Sequence, residues 1–78
     1  MIGDEDLSML AELNRLECAL LDAAAAEHRA RYESAARQFE RHDARAVREA
    51  RAAHQVADEV LAGAQSAYVT FIDARAAA

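Results

Sequence analysis

The sequence predicts an all-α protein, an antiparallel two-helix hairpin with an alanine-rich, coiled-coil-like seam that dimerises into a four-helix bundle. Three observations carry that expectation. Apolar residues recur at alternating steps of four and three, the spacing that keeps one helical face turned toward a partner. The 78 residues include no proline and only two glycines, Gly3 and Gly63, a composition suited to long helices rather than to strands and tight turns. Hydrophobic residues make up 54% of the chain, yet much of that is alanine, which buries little area. Ordering a chain costs on the order of 1.5 kcal/mol per residue, so a second copy is the expected source of the missing burial.

Residues 1–78 read as one domain, with helix 1 over about residues 5–41 and helix 2 over about 44–75. Gly3 followed by Asp4, Glu5 and Asp6 marks a helix entry, because aspartates cap free amide groups and negative charge suits the positive end of the dipole. Leu7, Leu10, Leu13, Leu16, Leu20 and Leu21 then span a wider arc than one seam requires, which predicts contact with more than one neighbour. Ala23 to Ala26 favours helix strongly, and the seam is expected to run on through Leu21, Ala25, His28, Tyr32, Ala35 and Phe39. Asn14 projects toward this seam, where a single amide fixes register and partner number. Cys18, the only cysteine, excludes an intrachain disulfide, fits a reducing compartment and is expected to be a small buried hydrophobe.

Near His42 and Asp43 the apolar content falls, and Asp43 is placed to cap a second helix starting at Ala44. Each arm of the hairpin would then be roughly 50 Å long. A rival exists. Ala11, Cys18, Ala25, Tyr32, Phe39, Ala46, Ala53, Val60, Ala67 and Ala74 continue at spacing seven across the break, compatible with one continuous helix in a long coiled coil, over ~100 Å in length.

In helix 2 the seam reads Ala46, Ala50, Ala53, Ala57, Val60, Ala64, Ala67, Phe71 and Ala74, with Val47, His54, Leu61 and Tyr68 beside it. A turn near Asp43 would set Leu61 opposite the Ala23 region and Phe71 opposite Leu13. Gly63 costs about 1 kcal/mol inside a helix relative to alanine, which predicts either a bend or, in better accord with the alanines on both sides, a close approach of two helices there. Tyr32 and Tyr68 are expected to bury their rings on the seams with the hydroxyl at the edge. Self-association is expected through Leu7, Leu10, Leu13 and Leu20 on helix 1 and Ala57, Val60, Ala64 and Phe71 on helix 2.

Little in the chain points to catalysis. Phosphate-binding loops, hydrolase elbows, paired Cys-x-x-Cys and zinc-protease signatures are all missing, so no catalytic residue, no cofactor and no enzymatic activity are assigned. His54 and Asp58, four apart, share a face, and His28 would lie at about the same height, which makes these three the candidate metal ligands. Against that stands the lack of a Glu-x-x-His motif, and the ordinary alternative is a pair of half-buried imidazoles hydrogen-bonded to carboxylate or water. Arg37, Arg41, Arg45 and Arg48 form a basic cluster that suits a phosphate or an acidic partner, although Glu33, Glu40, Asp43 and Glu49 can neutralise it as a solvated face.

Charge separates function classes further. The formal net charge is −5, with the first third acidic and the middle basic, and only Phe39 lies among the arginines, which argues against binding nucleic acid. The readings that remain are a noncatalytic interaction module, acting as adaptor or regulator, whose partners are a second copy and an unidentified protein; an acidic inhibitor of a nucleic-acid-binding machine; and a metal-binding bundle using His28, His54 and Asp58. An acidic N-terminal stretch, without a signal peptide or an apolar run near ~20 residues, gives a cytoplasmic expectation and no membrane partner. All nine basic residues are arginine, as in a protein from a GC-rich, bacterial genome.

Overall fold

A computed structural model of the chain describes residues 3–39 and 44–77. Helix α1 spans Asp4–Phe39 and helix α2 spans Ala44–Ala77, and no strand occurs among the described residues. The two helices pack against each other. They run in opposite directions: Arg51 donates to Gln38 Oε1 at 3.0 Å, His54 meets Glu27 at 3.0 Å further along, and Met9 shares a cleft with Arg75 at the other end. The Cα atoms span 60 × 21 × 14 Å, close to the ~54 Å of one 36-residue helix. A continuous rod of over ~100 Å is therefore not the shape of this chain. The expected turn at His42 and cap at Asp43 lie outside the described residues.

Local signals account for both helices. The Leu7 N–H donates to the Gly3 carbonyl at 3.1 Å, closing the first turn of α1. Asp4, Glu5 and Asp6 occupy that turn and Arg37 the last one, each favourable with the helix dipole. Glu12 pairs with Arg15, Glu33 with Arg37 and Arg45 with Glu49, three or four residues apart on exposed surface. Such exposed pairs are screened by solvent and contribute little, so packing must supply most of the stability.

That packing follows one line on each helix. On α1 it runs Met9, Leu13, Leu16, Leu20, Ala23, Glu27, Ala30, Ser34 and Arg37; on α2 it runs Val47, Ala50, His54, Ala57, Leu61, Ala64, Tyr68 and Phe71. Steps of three and four alternate throughout, the repeat of a left-handed supercoil. The core is thin: among the described residues only Leu16 and Ala23, each 6% exposed, and Ser34, 4% exposed, are buried. Small side chains at Ala23, Ala30 and Ser34 allow the axes to approach toward the short end of the ~8–10 Å range.

Several expectations are corrected here. On α2 the inward line keeps Ala50, Ala57, Ala64 and Phe71 but takes His54, Leu61 and Tyr68 in place of Ala53, Val60 and Ala67, while Val47 lies inward beside half-buried Ala46 and Ala74 is exposed. The replaced residues lie one position away, a rotation of about 100°, and the larger side chains bury more area per residue. On α1 the expected continuation through Leu21, Ala25, His28, Tyr32, Ala35 and Phe39 is exposed, with Leu21 at 70%, Tyr32 at 72% and Phe39 at 90%. Cys18 is exposed on that same side, its thiol 4.0 Å from Asn14 Oδ1. A methyl group built on Gly63 would meet nothing within 4 Å, so the helices make no close approach there. Among the described residues no helix is long and apolar enough to cross a membrane.

Candidate functional site

Two features stand apart from plain helix packing. The first is a polar layer in the middle of the seam. Glu27 on α1 and His54 on α2 both fall on the inward lines, and Asp58 stands one turn beyond His54. His54 Nε2 lies 3.0 Å from Glu27 Oε1 and 3.5 Å from Asp58 Oδ1. Side-chain exposure is 13% for Glu27, 27% for His54 and 55% for Asp58, so the layer grades from half-buried to open. Arg31 Nε approaches the same Glu27 oxygen at 3.8 Å. The hydrogen bond from His54 holds the Glu27 carboxyl below its ordinary range, against the opposing effect of burial and with further help from the positive charge of Arg31.

This arrangement can do two things chemically. With a proton on both ring nitrogens, His54 bridges two carboxylates as an ion-pair layer. With a metal in place of that proton, one imidazole and two carboxylates offer three donors, whose atoms all lie within 4.8 Å of one another. A tetrahedral ion with bonds of about 2.0–2.2 Å needs donor–donor edges of roughly 3.3–3.6 Å, and separations of 3.0 and 3.5 Å are near that. Two negative charges beside a neutral ring match a divalent cation, while Arg31 competes for Glu27.

The layer differs from the expected ligand set. His54 and Asp58 are together, but His28 is exposed and its Nδ1 lies 3.1 Å from Arg31 Nη2. Glu27 takes the third place because it is one position earlier, about 100° round the helix and on the inward line. That line was visible in sequence as the continuation of Leu13, Leu16, Leu20 and Ala23 by threes and fours.

The basic cluster is partly neutralised. Arg37 donates to Glu33 and Arg45 to Glu49, each at 2.9 Å; Arg48 is exposed, and Arg41 lies outside the described residues. Of the expected self-association residues, Leu13, Leu20, Ala57, Ala64 and Phe71 are half-buried on the α1–α2 seam. Leu7, Leu10 and Val60 are exposed at 53%, 49% and 56%.

The second feature is the outward line of α1. Leu7, Ala11, Asn14, Cys18, Leu21, Ala25, His28, Tyr32, Ala35 and Phe39 alternate by fours and threes without a break, and all ten are exposed. Six of the ten are wholly apolar, and Asn14, Cys18, His28 and Tyr32 carry a polar group. Each lies two positions from a residue of the inward line, which places this face about 160° away from α2. A shallow apolar groove among Tyr32, Ala35, Ala36 and Phe39 lies on it, and a second open cleft at the far end is lined by Asp4, Glu5, Ser8, Met9 and Arg75. Comparison with protein-family models, with curated proteins and with solved structures gives no match.

Proposed function

We propose that this chain is a noncatalytic protein–protein interaction module, an adaptor or regulator that self-associates through the outward face of α1. The supporting observation is that line of ten exposed positions at coiled-coil spacing, on the side of α1 turned away from α2. A helix of a lone hairpin would carry polar residues there, since a continuous exposed apolar strip marks an interaction surface. The thin core between α1 and α2 gives the same face a second role, because burial against another copy supplies stability that one hairpin lacks. Leu21→Glu tests this reading. It should leave helicity at low temperature intact while converting an associated species to single chains by light scattering. Wild-type protein already in single chains at high concentration would reject it.

A second reading concerns the Glu27, His54 and Asp58 layer, which supports a divalent-cation site joining the two helices. Cobalt(II) added to the intact protein should produce the visible absorption of a low-symmetry, partly nitrogen-ligated ion. Asp58→Asn, at the most exposed donor, should weaken binding without unfolding the chain. An unchanged spectrum, or equal affinity in the variant, would remove the cation reading and leave the ion-pair layer.

A further inference from the structure

We infer that two copies of α1 pair antiparallel through this outward line, with the twofold axis at the level of Ala23, so that each polar seam residue meets a polar seam residue of the other copy. The inference rests on the self-association proposed above and specifies its geometry. Around that axis, Leu7 lies opposite the partner's Phe39 and Ala11 opposite the partner's Ala35. Asn14 meets the partner's Tyr32, Cys18 meets the partner's His28, and Leu21 meets the partner's Ala25. Every one of the ten exposed positions is used. Large side chains close the two ends, where the partner's Phe39 at 90% exposure and Leu7 at 53% have the most surface to lose.

The polar pairs decide the register. An amide can donate to or accept from a phenol hydroxyl, and a thiol can donate to an imidazole nitrogen, so both layers satisfy their own groups. Sliding the copies by one heptad in one direction sets Asn14 against the partner's Ala25 and His28 against the partner's Ala11, and leaves Phe39 without an opposite residue. Sliding in the other direction sets Asn14 against the partner's Phe39 and His28 against the partner's Ala25, and strands Leu7 and Ala11. Each alternative sets Asn14 and His28 against apolar side chains and leaves them only their intrachain contacts with Cys18 and Arg31, the penalty by which one seam amide selects a register.

The flanks are unequally matched. Glu17 lies beside the partner's Arg31, an opposite-charge contact made twice. On the other edge Arg15 lies beside the partner's Arg29, with Arg15 already held by Glu12, and Asp22 lies beside its own copy. The ten seam positions and their ten flanking positions make about twenty residues a side, the size of a standard stable interface. Because the inward and outward faces of α1 are about 160° apart, the four helices would lie nearly in a row, α2, α1, α1 and α2, rather than in a square around one core.

Cysteine pairing reads the register directly. In a Cys18→Ser background, chains carrying Ala11→Cys are mixed with chains carrying Ala35→Cys and exposed to a mild oxidant. The Ala11 and Ala35 layer is the smallest of the five, so its Cα atoms come near disulfide range. The mixture should cross-link to a species of twice the 8.5 kDa chain mass. Either variant alone should not, because Ala11 and its own copy would be about 36 Å apart along the axis. Ala11→Cys with His28→Cys, and Ala35→Cys with native Cys18, report the two slipped registers. Cross-linking there instead, in a sample whose mass is that of two chains, overturns this register but leaves self-association standing. Single chains by mass, with no cross-link in any mixture, overturn both.

Discussion

Two leucines on opposite sides of α1 separate the face that holds the hairpin from the face proposed to hold a second copy. Leu16 is 6% exposed and Leu21 is 70% exposed in the single chain. Leu16→Ala removes three buried carbons, about 2.4 kcal/mol at ~0.8 kcal/mol each. The rim of a two-helix seam can close over the gap, which keeps the total near the low end of the ~2–5 kcal/mol range. Unfolding entropy near 2.1 cal/mol/K per residue gives ~0.16 kcal/mol/K for 78 residues, so Leu16→Ala should lower Tm by roughly 15 °C. Leu21→Ala should cost under ~1 kcal/mol in a lone hairpin, where less than a third of the side chain is covered. With a second copy docked, the cost should rise toward ~2 kcal/mol per chain at high concentration and fall on dilution. Thermal melts followed by circular dichroism at widely separated protein concentrations measure both. A Leu21→Ala effect that stays small at every concentration refutes the docked face; a small Leu16→Ala effect refutes the inward line itself.

Three further outcomes follow from the same geometry. Glu27 has a folded-state pKa held below 4.5 by the His54 hydrogen bond first, so its carboxylate contributes stability above the unfolded carboxylate pKa, and that contribution is lost as pH falls through the lowered folded value. Tm should therefore decline as pH drops below about 4.5, and Glu27→Gln should flatten that part of the curve; identical pH profiles for the two proteins would contradict the assignment. Gly63→Ala should stabilise by about 1 kcal/mol and raise Tm by roughly 6 °C, because the added methyl meets open space in a helix interior; destabilisation would mean that another chain covers Gly63. Arg45→Ala should shift stability by no more than ~0.5 kcal/mol, as for an exposed local ion pair, and a larger loss measured by denaturant melts would show a wider role at this end of the hairpin.

Helix content was legible because composition and spacing state it: no proline, few glycines, and apolar steps of three and four. Chain reversal was signalled only by the fall in apolar content near His42 and Asp43, since the spacing itself runs on across that point. The face of α1 that meets α2 was harder to read. That helix carries two lines at the same spacing, and the more apolar one, through Leu21, Ala25, Tyr32 and Phe39, faces away from α2. The inward line contains Glu27, Ser34 and Arg37, which weaken its hydrophobic signal. Periodicity alone cannot choose between two such lines, since the choice depends on polar partners across the seam. Across the seam Glu27 is met by His54, a residue 27 positions later, and Gln38 by Arg51. The same long-range pairing explains why His28, the nearer histidine in sequence, was placed in the cluster that Glu27 completes. On α2 the reading missed by one position, because alanines at Ala53, Ala67 and Ala74 extend the apolar pattern without filling space as Leu61 and Tyr68 do.

Small-angle scattering with an absolute mass, repeated across a dilution series, tests the central claim most directly. Two chains per particle should give twice 8.5 kDa with a longest dimension still near the 60 Å of one hairpin, and a flat cross-section consistent with four helices in a row. Dilution should return single chains with the dimensions of one hairpin, whose Cα radius of gyration is 17.7 Å. A particle of 8.5 kDa at the highest concentration reached would show that the outward face of α1 does not bind its own copy.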